Sequence, residues 1–224
     1  MAPADETRTT AERPEQPGRL EQPEQPGLRE RKKQETRAAL SLAAIRLCVL
    51  HGWDAVTVDR IAAEANVSVR TFRNYFAGKA EAIASRHEER MRLVAADLLE
   101  RPADEPLWDA LRHAVLGRFA PPGEPAPQDG RWREGVRLML AEPALAGELV
   151  KANAAAQQEL AAAVARRTGT DLERDLHPHL VAAVVAAGTG VAVERSLRAD
   201  GSSAPLGAVL AEVFERLAAG LPVP

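Results

Sequence analysis

The stretch from residue 68 to 79 concentrates the side chains best suited to reading nucleic-acid bases. If Val69–Phe76 is helical, a rotation of about 100° per residue puts Val69, Phe72 and Phe76 on one side. Arg70, Thr71 and Asn74 then point the opposite way, with Arg73 and Tyr75 on the flanks. Such a helix holds itself down by its apolar face and offers a guanidinium, a hydroxyl and an amide on the other. In a DNA major groove, arginine grips guanine O6 and N7, and asparagine pairs with adenine N6 and N7. The hydroxyls of Thr71 and Tyr75 suit phosphate oxygens, as does Lys79 at the start of the next helix, where N-terminal amides add to anion binding. Arg73 stands between lying along the core and reaching a phosphate. Upstream, Arg31, Lys32, Lys33 and Arg37 form a basic cluster able to follow the backbone or dip into a minor groove. Any one of these cations alone reads as a solvated charge. Their combination with an apolar anchor points to DNA.

The elements that must position them are legible in the same region. Arg29–His51 has Leu40, Ala43, Ala44, Leu47 and Leu50 at helical spacing, with Gly52 as its stop. Thr57 caps a second helix to about Ala65, with Val58, Ile61, Ala62 and Ala65 on one face. Asn66 tolerates a left-handed turn, and Ser68 caps the short third helix. Two short helices joined by Asn66-Val67-Ser68 make a helix-turn-helix candidate. A fourth helix runs from Lys79 to Arg101-Pro102. Further helical patterns cover Pro106–Phe119, Arg131–Ala141, Pro143–Arg167, His179–Arg198 and Pro205–Ala219, with a proline-rich break at 121–127. Pro143 and Pro205 suit first-turn positions, and Gly169 and Gly201 suit stops. No alternating strand pattern occurs, so the fold class is all-α.

The chain has 224 residues, long enough to bury a core without staples. The single cysteine, Cys48, excludes an intramolecular disulfide framework and a cysteine-based zinc finger. No run approaches a membrane span and no secretory signal opens the chain, which predicts a cytoplasmic protein without a membrane partner. Residues 1–28 carry 3 basic and 6 acidic side chains and five prolines, and Pro-Glu-Gln-Pro-Gly occurs twice. This composition predicts a disordered tail. Residues 29–92 carry 13 basic and 8 acidic groups, and residues 93–224 carry 13 and 18, the distribution of a basic head on an acidic body.

Residues 31–83, above all Thr57-Val58-Asp59-Arg60-Ile61-Ala62, Asn66 through Phe76, and Lys79, resemble the N-terminal domain of the tetracycline-repressor-like (TetR) family. The resemblance implies a homodimer whose third helix enters the major groove and whose C-terminal helices bind a small molecule and the partner subunit. It places Thr57, Arg70, Thr71, Asn74, Tyr75 and Lys79 at positions that commonly contact DNA, and Ser68 lies among them. The chain departs from the family pattern in having Asn66 for a frequent glycine, Cys48 for a bulky phenylalanine, Arg73 for an aromatic and Val69 for a proline. These leave the reading face in place, but the base preference does not carry over.

Trp132 through Leu145 resembles a C-terminal subclass associated with acyl-CoA-like ligands. Trp108, Phe119, Trp132, Leu138 and Met139 are candidate lining residues of a cavity, although a tryptophan or methionine at helical spacing more often belongs to a core. The small residues Ala182, Ala183, Ala186, Ala187, Gly188, Gly190 and Ala192 suit a dimer surface built from the last two helices, and intramolecular packing leaves the same pattern. Enzyme signatures are missing. The pair His177 and His179 is split by a proline without a third ligand, His51, His87 and His113 are scattered, and Gly188-Thr189-Gly190 has no preceding strand. No cofactor is expected, and the effector has no assigned identity. The organisation expected is a tail at 1–28, a DNA-binding head at 29–78 and a ligand-binding and dimerisation body at 79–224. The function expected is a homodimeric repressor released from a palindromic operator by a small molecule. The alternative is an α-helical small-molecule-binding or scaffolding protein that does not use its head on DNA.

Overall fold

The computed structural model describes residues 27–120, 130–198 and 204–221, and these are helical with no strand among them. Residues 1–26 of the expected tail, the proline-rich break and Gly201 lie outside the described residues, whereas Gly27 and Leu28, expected in the tail, are the N-cap and first residue of a helix. The helices are α1 (Leu28–His51), α2 (Val58–Glu64), α3 (Val69–Arg73), α4 (Lys79–Glu100), α5 (Leu107–Phe119), α6 (Gly130–Leu140), α7 (Pro143–Thr168), α8 (Leu176–Ser196) and α9 (Leu206–Ala218).

The head follows its capping chemistry. Gly52 ends α1 at φ 81° and donates its N–H to the Cys48 carbonyl. The Thr57 hydroxyl accepts the Arg60 N–H at 3.3 Å and the Ser68 hydroxyl accepts the Thr71 N–H at 3.0 Å. Asn66 takes the left-handed conformation, φ 54°, that lets the chain reverse between α2 and α3. α3 stops at Arg73, three residues before the expected Phe76. The Asn74 and Tyr75 N–H groups bond back to Thr71 and Phe72 in the tighter i to i+3 pattern, which closes the helix early.

Elsewhere the ends shift little. Pro143 opens α7 and Gly169 closes it at φ 69°. α8 begins at Leu176 rather than His179, because Pro178 falls in the first turn, where its missing N–H costs no helical bond. Pro205 sits just outside α9 as its N-cap. The Arg167 guanidinium donates to four carbonyls at the α4–α5 junction, those of Leu98, Arg101, Pro102 and Glu105, at 2.6–3.1 Å.

Two buried clusters organise the packing. One joins α1, α2, α3 and the start of α4 around Leu40, Ile61, Phe72 and Phe76, and takes in Met139 of α6 with Leu145 and Ala152 of α7. The other joins the second half of α4 to α5, α7, α8 and α9 around Leu98, Leu111, Leu160 and Phe214. At Gly135, an added Cβ would stand 2.3 Å from the Val49 carbonyl oxygen, so α6 and α1 meet backbone to backbone. Among the described residues, α8 is the helix long and apolar enough to cross a membrane by length and composition, yet only 33% of its apolar window is buried within this chain.

Candidate nucleic-acid interface and cavity

The α3 helix is anchored as its periodicity requires. Phe72 and Phe76 are buried, their rings 5.7 Å apart and tilted, while Arg70, Arg73 and Asn74 are exposed and Thr71 and Tyr75 half-buried. The first turns of α1 lie beside this face. Together Arg29, Lys32, Lys33, Thr36, Thr71, Asn74 and Tyr75 line a groove of about 810 Å³. Lys32 and Lys33 of the basic cluster and Thr71 and Asn74 of the polar face therefore meet across one surface, with Glu30 beside them, while Arg70 is exposed outside the groove lining. Arg31 is exposed nearby, outside the groove lining. Arg29 and Thr36 join the groove without having been singled out from the sequence, since their role depends on how α1 crosses α3.

Several other expected contact residues are already engaged. The Ser68 and Thr71 hydroxyls lie 2.9 Å apart and hydrogen-bond each other. Arg37 lies 4.9 Å over the Phe76 ring and 3.7 Å from a Glu88 carboxylate oxygen, tying α1 to α4. Lys79 Nζ donates to the Trp53 carbonyl at 2.5 Å and the Val56 carbonyl at 3.0 Å. At the start of α4, the Ala77 N–H is taken by the Glu81 carboxylate at 2.6 Å, which places negative charge where a phosphate would approach.

A cavity of about 980 Å³ lies between α4, α6, α7 and α8. Ile83, Val136, Leu140, Leu149, Ala186, Gly190 and Val193 give it apolar walls, with His87, Arg90, Phe119 and Asn153 at one side and Arg137, Thr189, Glu194 and Arg198 along α6 and the end of α8. His87 Nε2 donates to Asn153 Oδ1 at 2.6 Å, and burial pushes the His87 imidazole below its ordinary value, towards the neutral form. Of the lining residues expected from sequence, Phe119 belongs to this cavity. Trp132, Leu138 and Met139 instead line a separate cleft of about 700 Å³ against α1. Trp108 packs on the C-terminal core. The His87–Asn153 pair spans 66 residues and had no local signal.

Comparison with known proteins matches both halves of this architecture. Residues 42–84 match the bacterial regulatory proteins of the TetR family, and residues 105–222 match the MftR C-terminal domain. The chain is 34% identical over 175 residues to the HTH-type transcriptional regulator TcmR of Streptomyces glaucescens, covering 76% of this chain and 77% of the relative. A transcriptional regulator of Pseudomonas aeruginosa PAO1 shares the fold, at 20% identity and TM-score 0.51 over 84% of this chain and 91% of that one. The fatty acid degradation regulator FadR of Bacillus halodurans does so at 17% identity and TM-score 0.50, over 84% and 97%. With its helix-turn-helix head and helical C-terminal body, the chain belongs to the TetR family of DNA-binding transcriptional regulators.

Proposed function

We propose that the protein is a repressor that binds a palindromic operator as a homodimer and is released when a small molecule fills the cavity. One observation supports the DNA reading: Thr71, Asn74 and Tyr75 share a single groove with Arg29, Lys32 and Lys33 of the first turns of α1, and Arg70 is exposed on the same short helix. Arg70 and Asn74 read bases, and Lys32, Lys33 and Arg31 engage phosphates. Ser68, Thr57 and Lys79 contribute by holding the two short helices in register. The dimer is supported by α8, where Leu176, Leu180, Ala183, Ala187 and Val191 recur on one face. Leu176, Leu180 and Val191 are 76%, 53% and 58% exposed, an apolar stripe that one subunit leaves uncovered. Gly188, by contrast, packs within the chain, its missing Cβ making room for Val213 of α9. A two-fold pair, joined through α8 and α9, presents two α3 helices to half-sites about 34–36 Å apart. It acts in the cytoplasm, where its DNA target lies.

Release follows from exclusion between two states. An effector in the cavity favours an arrangement of α4 and α6 in which the reading helices no longer match successive grooves, and DNA disfavours the effector by the same factor. Selection of random duplex DNA by the purified protein, read by sequencing beside Arg70→Ala, tests the reading. A palindromic motif that disappears in the variant is the expected result. No enrichment at low salt would remove DNA binding from the account.

A further inference from the structure

We propose that the acidic segment just before α1, residues 20–26, occupies the groove between α1 and α3 in the absence of DNA and has to leave it for DNA to bind. This rests on the reading of that groove as part of the DNA surface. Arg29, Lys32 and Lys33 line it with a single carboxylate, Glu30, which leaves two positive charges uncompensated. Farther along α1 the cations find partners, Arg37 with Glu88 and Arg46 with Glu64. The three groove cations make no ion pair among the described residues.

The complementary charge is carried by the chain that leads into the groove. Leu20-Glu21-Gln22-Pro23-Glu24-Gln25-Pro26 has two carboxylates and no basic side chain. It joins at Gly27, which lines the groove and is the N-cap of α1. At no more than about 3.6 Å per residue, Glu24 lies within about 11 Å of Gly27 and Glu21 within about 22 Å. A tether this short holds the carboxylates beside the cations at millimolar effective concentration. The φ angles of Pro23 and Pro26 are fixed by their rings, so docking removes less backbone freedom. Gly27 has no side chain to cap the first turn of α1, where a nearby carboxylate is favoured by the helix dipole. DNA phosphates seek the same cations, so segment and DNA exclude one another. Salt weakens the inner contact as well, and the inhibition fades as salt rises.

Tyr75 is the chain's only tyrosine and lines the groove, so fluorotyrosine labelling places one fluorine NMR resonance there. In about 0.01 M salt and without DNA, removal of residues 1–26 is expected to shift that resonance. The double variant Glu21→Gln, Glu24→Gln is expected to bring it to the truncated position. The pair Asp5→Asn, Glu6→Asn makes the same change in net charge far from Gly27 and is expected to leave the resonance in place. In about 1 M salt the full-length resonance should meet the truncated one. On random duplex DNA at low salt, truncation and the Glu21, Glu24 variant are expected to tighten binding about threefold or more, and the Asp5, Glu6 variant to leave it unchanged. The proposal is overturned if full-length and truncated resonances coincide at low salt, or if the two charge variants behave alike. It is also overturned if the shift grows with protein concentration, which would assign it to a segment of another molecule. A fluorine shift with no change in DNA affinity would remove the groove from the DNA surface and leave the docking of the segment standing.

Discussion

Lys79 and Trp53 are joined twice: the Lys79 ammonium sits 4.4 Å from the centre of the Trp53 ring and donates to the Trp53 carbonyl at 2.5 Å. A third contact, to the Val56 carbonyl at 3.0 Å, fixes the loop between α1 and α2 to the first turn of α4. The reading helix hangs between these two supports, so the charge of Lys79 acts as a positioning device. Lys79→Met is expected to lower stability by about 1–3 kcal/mol, from lost charged hydrogen bonds and cation–π attraction. It is expected to leave the salt dependence of DNA affinity unchanged. Denaturant unfolding and a salt titration separate the roles. A phosphate contact would instead reduce the slope of log affinity against log salt by about 0.9 per contact, with stability intact.

The exposed residues of the head divide by what the proposed interface has them touch. Arg70→Ala and Asn74→Ala should each cost about 1–3 kcal/mol on the selected site and little on unrelated DNA. Lys32→Ala should weaken both alike and shave the salt slope by about 0.9. Equal losses on cognate and random duplexes for Asn74→Ala would remove it from base reading.

Arg167 closes a joint that sequence periodicity does not show. The last carbonyls of a helix lack internal partners, and this guanidinium serves four carbonyls of the α4–α5 junction. Arg167→Met, which keeps much of the stem, should cost about 2–3 kcal/mol, visible as a lower midpoint in urea. A midpoint equal to the parent's would mean that water replaces the guanidinium without loss.

Acidification should weaken the fold through His87. Burial holds its folded pKa below the ordinary 6.5, with Asn153 opposing that shift and Arg90 reinforcing it. Between the two values the unfolded chain binds more protons than the folded one. Stability is therefore full above the unfolded value and declines as pH falls from 6.5 towards the folded pKa. Thermal melts across that window should show the decline, and His87→Gln should flatten it. A parent and variant with parallel profiles would place the titration elsewhere.

What could be read from the chain alone was whatever depends on near neighbours. Thr57, Asn66 and Ser68 announce their caps and turn within three residues, and the phenylalanine spacing of α3 fixes which face is free. The early end of α3 at Arg73 was not legible, because a tightened turn leaves no apolar mark. Long-range partners were equally silent: Lys79 meets carbonyls more than twenty residues back, and His87 finds Asn153 across 66 positions. The lining of the cavity suffered most. Trp132, Leu138 and Met139 share α6 with Val136 and Leu140, but only tertiary packing decides which side of that helix looks at α1 and which at the cavity.

The contact between Gly135 and Val49 bears on how the molecule comes apart. With no side chain between them, α6 and α1 cannot slide without lifting off each other, and Met139 one turn on is buried among residues of the head. α4 runs through both clusters as well. A head excised at residue 78 would lose Met139, Leu145 and Ala152 from its interior and expose apolar surface in exchange. Head and body are thus expected to melt together in a single calorimetric transition, and neither half can be borrowed as an independent module without rebuilding the face that the other supplies.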